Sequence, residues 1–233
     1  MRQIVLDTET TGLNARGGDR IIEIGCVELF NRRLTGRHFH RYINPERDSE
    51  EGALRVHGIT TEFLADKPLF AEIADELLEY LEGGELIIHN ASFDIEFLNE
   101  ELSRLQLGAI DSRIAGVIDT LAAARELHPG KKNSLDALCE RYAIANSHRT
   151  LHGALLDAEL LAEVYLSMTR GQETLAIELE EPPVRSNASL AVGTLRSGPL
   201  KIIAANDEEL AAHAKVLESI AQQSKGGCVW LAQ

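Results

Sequence analysis

The chain has 233 residues, 44% of them hydrophobic, enough for one substantial core but not for a second large domain beside it. Its formal net charge of −14 excludes capture of nucleic acid by broad phosphate neutralisation, so metal ions or a partner must supply any such attraction. Cys26, Cys139 and Cys228 lie far apart with no CxxC pair, which excludes a disulfide framework or zinc knuckle and fits a reducing cytoplasm.

In chain order, Met1 to Leu6 has one basic residue and an apolar run too short for a signal peptide, and no later stretch approaches a membrane span; a soluble, cytoplasmic protein is expected. Ile4-Val5-Leu6 predicts a buried opening strand, Thr8 to Gly12 a polar turn, and Ile21 to Leu29 and Phe39 to Ile43 two further strands, an antiparallel start to a sheet. Phe70, Ile73, Leu77, Leu78 and Leu81 recur at helical spacing until Gly83-Gly84. Strands then follow at Glu85 to His89 and Val117 to Asp119. Helices are expected from about Phe93, over 120–127 and 135–142, and from Gly153 to Met168. Strands that first meander and then alternate with helices give an α/β fold with a sheet of mixed direction. After the 1–170 domain, the acidic run Glu178 to Glu181 and Pro182-Pro183 mark 171–199 as a flexible linker. The 200–233 segment holds a short strand at Leu200 to Ala204, a helix capped by Asn206, and an apolar stretch at Cys228 to Leu231. It is too small to fold unaided and is expected to dock.

Three constellations carry chemistry. Asp7-Thr8-Glu9 ends the first strand, where a period of two places both carboxylates on one face. A divalent cation between them would relieve their repulsion, although an isolated D-x-E is more commonly a pair of solvated acids. His89 to Asp94 runs from a strand end into a helix, whose dipole alone accounts for Asp94 in the first turn; crevices of open α/β sheets also form at strand ends. His152 and Asp157, five apart, would be rotated by about 140° on one helix. They converge only if His152 precedes the helix on a hinge that Gly153 permits. An acid beside a core-facing leucine stripe needs a partner, and a metal serves, whereas a lone histidine is more often structural. Together, Asp7, Glu9, Asp94 and Asp157 as ligands and His152 as general base make a site for two-metal hydrolysis. Hard oxygen donors favour two Mg²⁺ or Mn²⁺ ions over Zn²⁺.

Ile4 to Gly12, Val56-His57-Gly58-Ile59, His89 to Asp94 and Arg149 to Asp157, in that order, resemble the exonucleases with four acids and a histidine, the DEDDh family, and within it the proofreading members that serve bacterial DNA polymerase III. The resemblance implies a ribonuclease H-like mixed β-sheet flanked by helices and 3′–5′ hydrolysis of single-stranded or mispaired DNA ends. Asp7, Glu9 and Asp157 would bind metals, with Asp94 completing the site, and His152 would activate water. His57 would contact the 3′-terminal nucleotide, Thr10, Gly12 and Leu13 would line the terminal-base pocket with Leu13 as a wedge, and Asn90 would help orient substrate. Close relatives can carry a glutamate five residues before the His57 position; here Gly52 stands there, with Glu51 adjacent. The resemblance also implies that Gln172, Leu175 and Ile177 engage a sliding clamp. The 200–233 module, with Trp230 as an anchor, would bind the polymerase III alpha catalytic subunit, and such a tether raises the local concentration of primer ends for an acidic enzyme. An RNA-trimming member of the family and a non-catalytic scaffold of a polymerase complex are the competing readings.

Overall fold

The computed structural model describes residues 1–146, 151–170 and 205–223. The chain divides into two compact units, Met1–Ile177 and Glu178–Gln233. The first is built on five strands, β1 (Arg2–Thr10), β2 (Ile21–Phe30), β3 (Arg33–Tyr42), β4 (Glu85–Ile88) and β5 (Gly116–Asp119). They form one sheet in the order β3-β2-β1-β4-β5, with β1/β2 and β2/β3 antiparallel and β1/β4 and β4/β5 parallel. The mixed sheet is the one expected.

Strand periodicity divides the core. On β1, Ile4 and Leu6 join a cluster with α3 (Phe70–Leu81) and α4 (Ala91–Arg104), whereas Val5 joins residues of α5 (Thr120–Leu127), α6 (Leu135–Arg141) and α7 (Ala154–Met168) on the other face. Central β1 is therefore apolar on both faces until its polar end emerges. There the β1–β2 register shifts between Glu9 and Thr10, an irregularity that re-aims side chains beside functional sites.

The third strand begins at Arg33, six residues before the expected Phe39. Its first half is exposed and so has no apolar alternation to read. It forms because Asn31 and Arg32, both at positive φ (48° and 61°), make a tight hairpin of the kind that matches strand twist. Two short helices, α1 (Glu51–His57) and α2 (Thr61–Leu64), occupy a stretch to which the sequence reading assigns no element. Leu54, Val56 and Phe63 are partly or largely exposed, so α1 and α2 show no core-facing stripe.

One glycine sets how the layers meet. Gly25 on β2 is the register partner of Asp7, and a Cβ there would lie 2.2 to 2.4 Å from backbone atoms of Ala154 and Leu155 in the first turn of α7. Gly25→Ala is expected to push that turn, and Asp157 with it, off the sheet. The overpacking should cost about 1–3 kcal/mol, a loss that thermal melting of the variant beside the native chain checks.

In the second unit, α8 (Asp207–Gln223) starts with a reciprocal cap: Asn206 Oδ1 accepts from Glu209 N at 2.9 Å, and Asn206 N donates to Glu209 Oε2 at 2.9 Å. This is the expected capped helix. The expected strand at 200–204, the 171–199 linker, Gln172, Leu175, Ile177 and Trp230 lie outside the described residues. Among the described residues no helix is long and apolar enough to cross a membrane.

Candidate active site

The end of β1 opens into a cavity of about 710 Å³ whose wall includes Asp7, Glu9, Asp94, His152 and Asp157, together with His89 and Asn90. All five residues expected to be catalytic or metal-binding thus meet at one place, although they come from β1, α4, α7 and the segment before α7. Glu9, Asp94 and Asp157 are buried. Carboxylates gathered out of water repel one another unless protons or cations compensate. Ligand atoms of Glu9, His152 and Asp157 all lie within 4.8 Å of one another, close enough for a cation between two carboxylate oxygens and an imidazole nitrogen.

The two faces of β1 divide the acids. Asp7 and Glu9 share the parity of Val5, which packs toward α7, the helix bearing Asp157. Thr8, of opposite parity, donates its hydroxyl to Asp94 Oδ1 at 2.7 Å. The middle residue of the D-x-E motif therefore anchors the fourth acid, a role the sequence reading missed; the signal was a hydroxyl between two acids with the parity of the α4-facing side.

Burial pushes Asp94 from its ordinary 3.8 up to about 7, against the Thr8 hydroxyl and backbone hydrogen bonds that favour the anion, while the charge of Asp119 adds to the rise. A carboxyl whose folded pKa is raised binds more protons in the native than in the unfolded state between those two values. The metal-free protein should therefore lose stability from this group as pH rises from about 4 to about 7. A cation that takes up the ionised form reverses the penalty. Mn²⁺ is accordingly expected to raise the melting temperature more at pH 8 than at pH 5, as calorimetry at the two pH values will show.

Asp119 is a second residue the sequence reading did not single out. At the end of β5 its carboxylate accepts from Leu121 N and Ala122 N, capping α5, and also from Asn90 N and Ala91 N at 3.3 Å. It thereby fixes the strand-to-helix turn that delivers Asp94. Asn90 sits in that turn at φ 69°, a left-handed conformation asparagine tolerates. A strand-ending Asp followed by Thr and a helical run was a legible cap signal.

His152 precedes α7, as required for convergence. Gly153 is extended, at φ −155°, so the expected hinge does not depend on glycine's conformational freedom. His152 Nδ1 lies 3.2 Å from Asp157 Oδ2, and its side chain is 44% exposed against 3% for Asp157. The imidazole is therefore open to solvent while the carboxylate beside it is not. His152 N donates to Val56 O at 3.2 Å, tying the segment to α1.

Thr10, Gly12, Leu13 and His57 lie outside the wall of this cavity. Thr10 Oγ1 donates to Gly12 O at 2.6 Å, and Leu13 projects into solvent, 82% exposed. His57, the last residue of α1, is buried. Its Nδ1 accepts from Ile59 N at 2.9 Å, so the ring proton resides on Nε2. Burial lowers its pKa, opposed by the charge of Glu23. Glu51, the neighbour of Gly52, is exposed and pairs with Arg55 at 2.7 Å.

This fold and this convergence of acids with a histidine are the hallmarks of a nuclease class. The chain belongs to the exonuclease family, whose model matches residues 4–165. It is 51% identical over 238 residues to the DNA polymerase III subunit epsilon of Escherichia coli K12, covering 99% of this chain and 98% of the relative. It is 52% identical to the subunit of the same name from Pasteurella multocida, covering 98% of this chain and 93% of the relative. Among solved structures, exonuclease X in complex with 5′ overhanging duplex DNA is 28% identical with a TM-score of 0.58, covering 75% of this chain and 95% of that one. The zinc-bound complex of E. coli exonuclease I with single-stranded DNA shares the fold, at 18% identity and a TM-score of 0.64, covering 73% of this chain and 41% of that one.

Proposed function

We propose that the protein is a 3′–5′ exodeoxyribonuclease of the DNA polymerase III epsilon type, removing mispaired 3′-terminal nucleotides as 5′-mononucleotides during replication in the cytoplasm. The observation that carries this reading is the meeting of Asp7, Glu9, Asp94, His152 and Asp157 in one cavity, in a chain about half identical to epsilon subunits over nearly its whole length.

The four carboxylates would hold two divalent cations, Mg²⁺ or Mn²⁺, which supply charge stabilisation at the phosphate and lower the pKa of water. His152 takes the proton. An Nδ1–H turned toward Asp157 Oδ2 makes Nε2 the proton-accepting atom, and the carboxylate stabilises the imidazolium that forms. Thr8 and Asp119 act only through Asp94 and its turn, as positioning residues. Leu13, exposed beside the site strand, suits a wedge against the terminal base, with Thr10, Gly12, His57 and Asn90 completing nucleotide recognition.

Gln172, Leu175 and Ile177 would engage the sliding clamp, and the 200–233 module with Trp230 the polymerase alpha subunit. The test is product analysis on matched DNA and RNA oligonucleotides bearing a 3′ mismatch. Stepwise release of 5′-deoxynucleotides, at least tenfold faster than ribonucleotides, is expected; internal cleavage or a preference for RNA refutes the reading.

A further inference from the structure

The acids form only part of the cavity wall. Arg125 from α5 and Lys131 from the turn between α5 and α6 line the same cavity. Lys131 also lines a neighbouring cavity of about 490 Å³ with Lys132 and Arg141. Open surface therefore continues from the carboxylates past Arg125 and Lys131 to Lys132. We propose that this basic wall is a phosphate track, holding the nucleic-acid strand on the 5′ side of the bond being cut; the proposal rests on the exonuclease reading above.

Three observations support it. First, in a chain of net charge −14 most arginines of the catalytic unit are matched with acids, as in Arg2–Glu28, Arg20–Glu101 and Arg47–Asp19. Arg125, Lys131 and Lys132 are exposed, and among the described residues none has a carboxylate within 4.0 Å. Beyond the four site carboxylates, two acids line these cavities, Asp136 in the first and Glu140 in the second, against the four cations Arg125, Lys131, Lys132 and Arg141.

Second, the turn carrying the lysines is fixed before any ligand arrives. Lys131 N donates to His128 O at 3.1 Å. Buried Asn133 accepts from Arg141 Nη1 at 3.0 Å, and Arg141 Nη2 donates to Lys132 O at 2.7 Å. Backbone held in this way lowers the ordering cost of binding.

Third, the arrangement fits the substrate's charge. A single strand with its 3′ end among cation-holding acids carries further phosphates away from them, and those phosphates need positive partners of their own. The bulk charge excluded capture by the whole surface; a local row of two or three cations leading from the site is compatible with it.

The test is the double variant Arg125→Ala/Lys131→Ala in the full chain, against Arg33→Ala/Arg55→Ala as a control for net charge. Binding of a single-stranded DNA 12-mer in Ca²⁺ is measured by anisotropy over a salt series, and Mn²⁺-supported hydrolysis is measured on the 12-mer and on a dinucleotide. The track variant should bind the 12-mer about tenfold more weakly, with a log–log salt slope shallower by about 1.4, or about 0.7 for each phosphate that no longer meets a cation. Its loss in kcat/KM should be greater on the 12-mer than on the dinucleotide, which has only the scissile phosphate. Unchanged affinity and slope, equal losses on both substrates, or an equal effect from the control pair would overturn the track. Failure of the native protein to release mononucleotides from either substrate would refute the exonuclease reading instead, while the binding series still decides the track.

Discussion

Asp7→Ala is expected to slow Mg²⁺-dependent degradation of a mispaired primer by at least about a thousandfold, equivalent to roughly 4 kcal/mol of lost transition-state stabilisation. The side chain leaves a cavity it shares with Glu9, Asp94 and Asp157, so the variant also relieves repulsion among carboxylates. Without metal, its melting temperature should therefore equal or exceed that of the native chain, while the rise on adding Mn²⁺ shrinks. Loss of activity with retained or increased metal-free stability separates a ligand role from a folding role. Activity within tenfold of native in a clean preparation refutes the assignment.

His152→Ala is expected to lower kcat by about 10²- to 10⁴-fold, the usual contribution of a positioned general base. Its half-exposed ring beside buried Asp157 can lose its proton-accepting atom without leaving a void in the core. The closeness of Glu9, His152 and Asp157 allows a second role, as a metal ligand through nitrogen, and the same variant distinguishes the two. A base leaves the Mn²⁺ concentration for half-maximal activity nearly unchanged, whereas a ligand raises it in step with the loss in kcat. Rapid-quench turnover measured against Mn²⁺ concentration gives both numbers.

The candidate acids and the histidine were legible because strand parity, strand ends and helix starts place side chains by local rules. Asp7 and Glu9 share a face because a strand repeats every two residues, and Asp94 falls in a first turn because Ala91 follows the end of β4. The sheet was legible wherever its strands are buried: Ile4 to Leu6 and Leu86 to Ile88 are apolar throughout, and Ile21 to Leu29 is mostly so, because helices cover both faces.

What local rules miss depends on tertiary contact. The exposed first half of β3 is held by a hairpin rather than by burial, and α1 packs His57 alone into the interior. Neither leaves a periodic trace. The need for glycine at position 25 arises from a helix backbone more than a hundred residues later in the chain, and Asp119 bridges two turns that meet only in the folded sheet. The basic wall escaped notice because Arg125, Lys131 and Lys132 are unremarkable in sequence and significant only beside the acids.

The most direct measurement is anomalous diffraction from crystals of the protein grown with Mn²⁺. The account predicts manganese peaks enclosed by the carboxylates of Asp7, Glu9, Asp94 and Asp157, with His152 beside them. Manganese bound elsewhere on the protein, with this cavity free of it, would contradict the account.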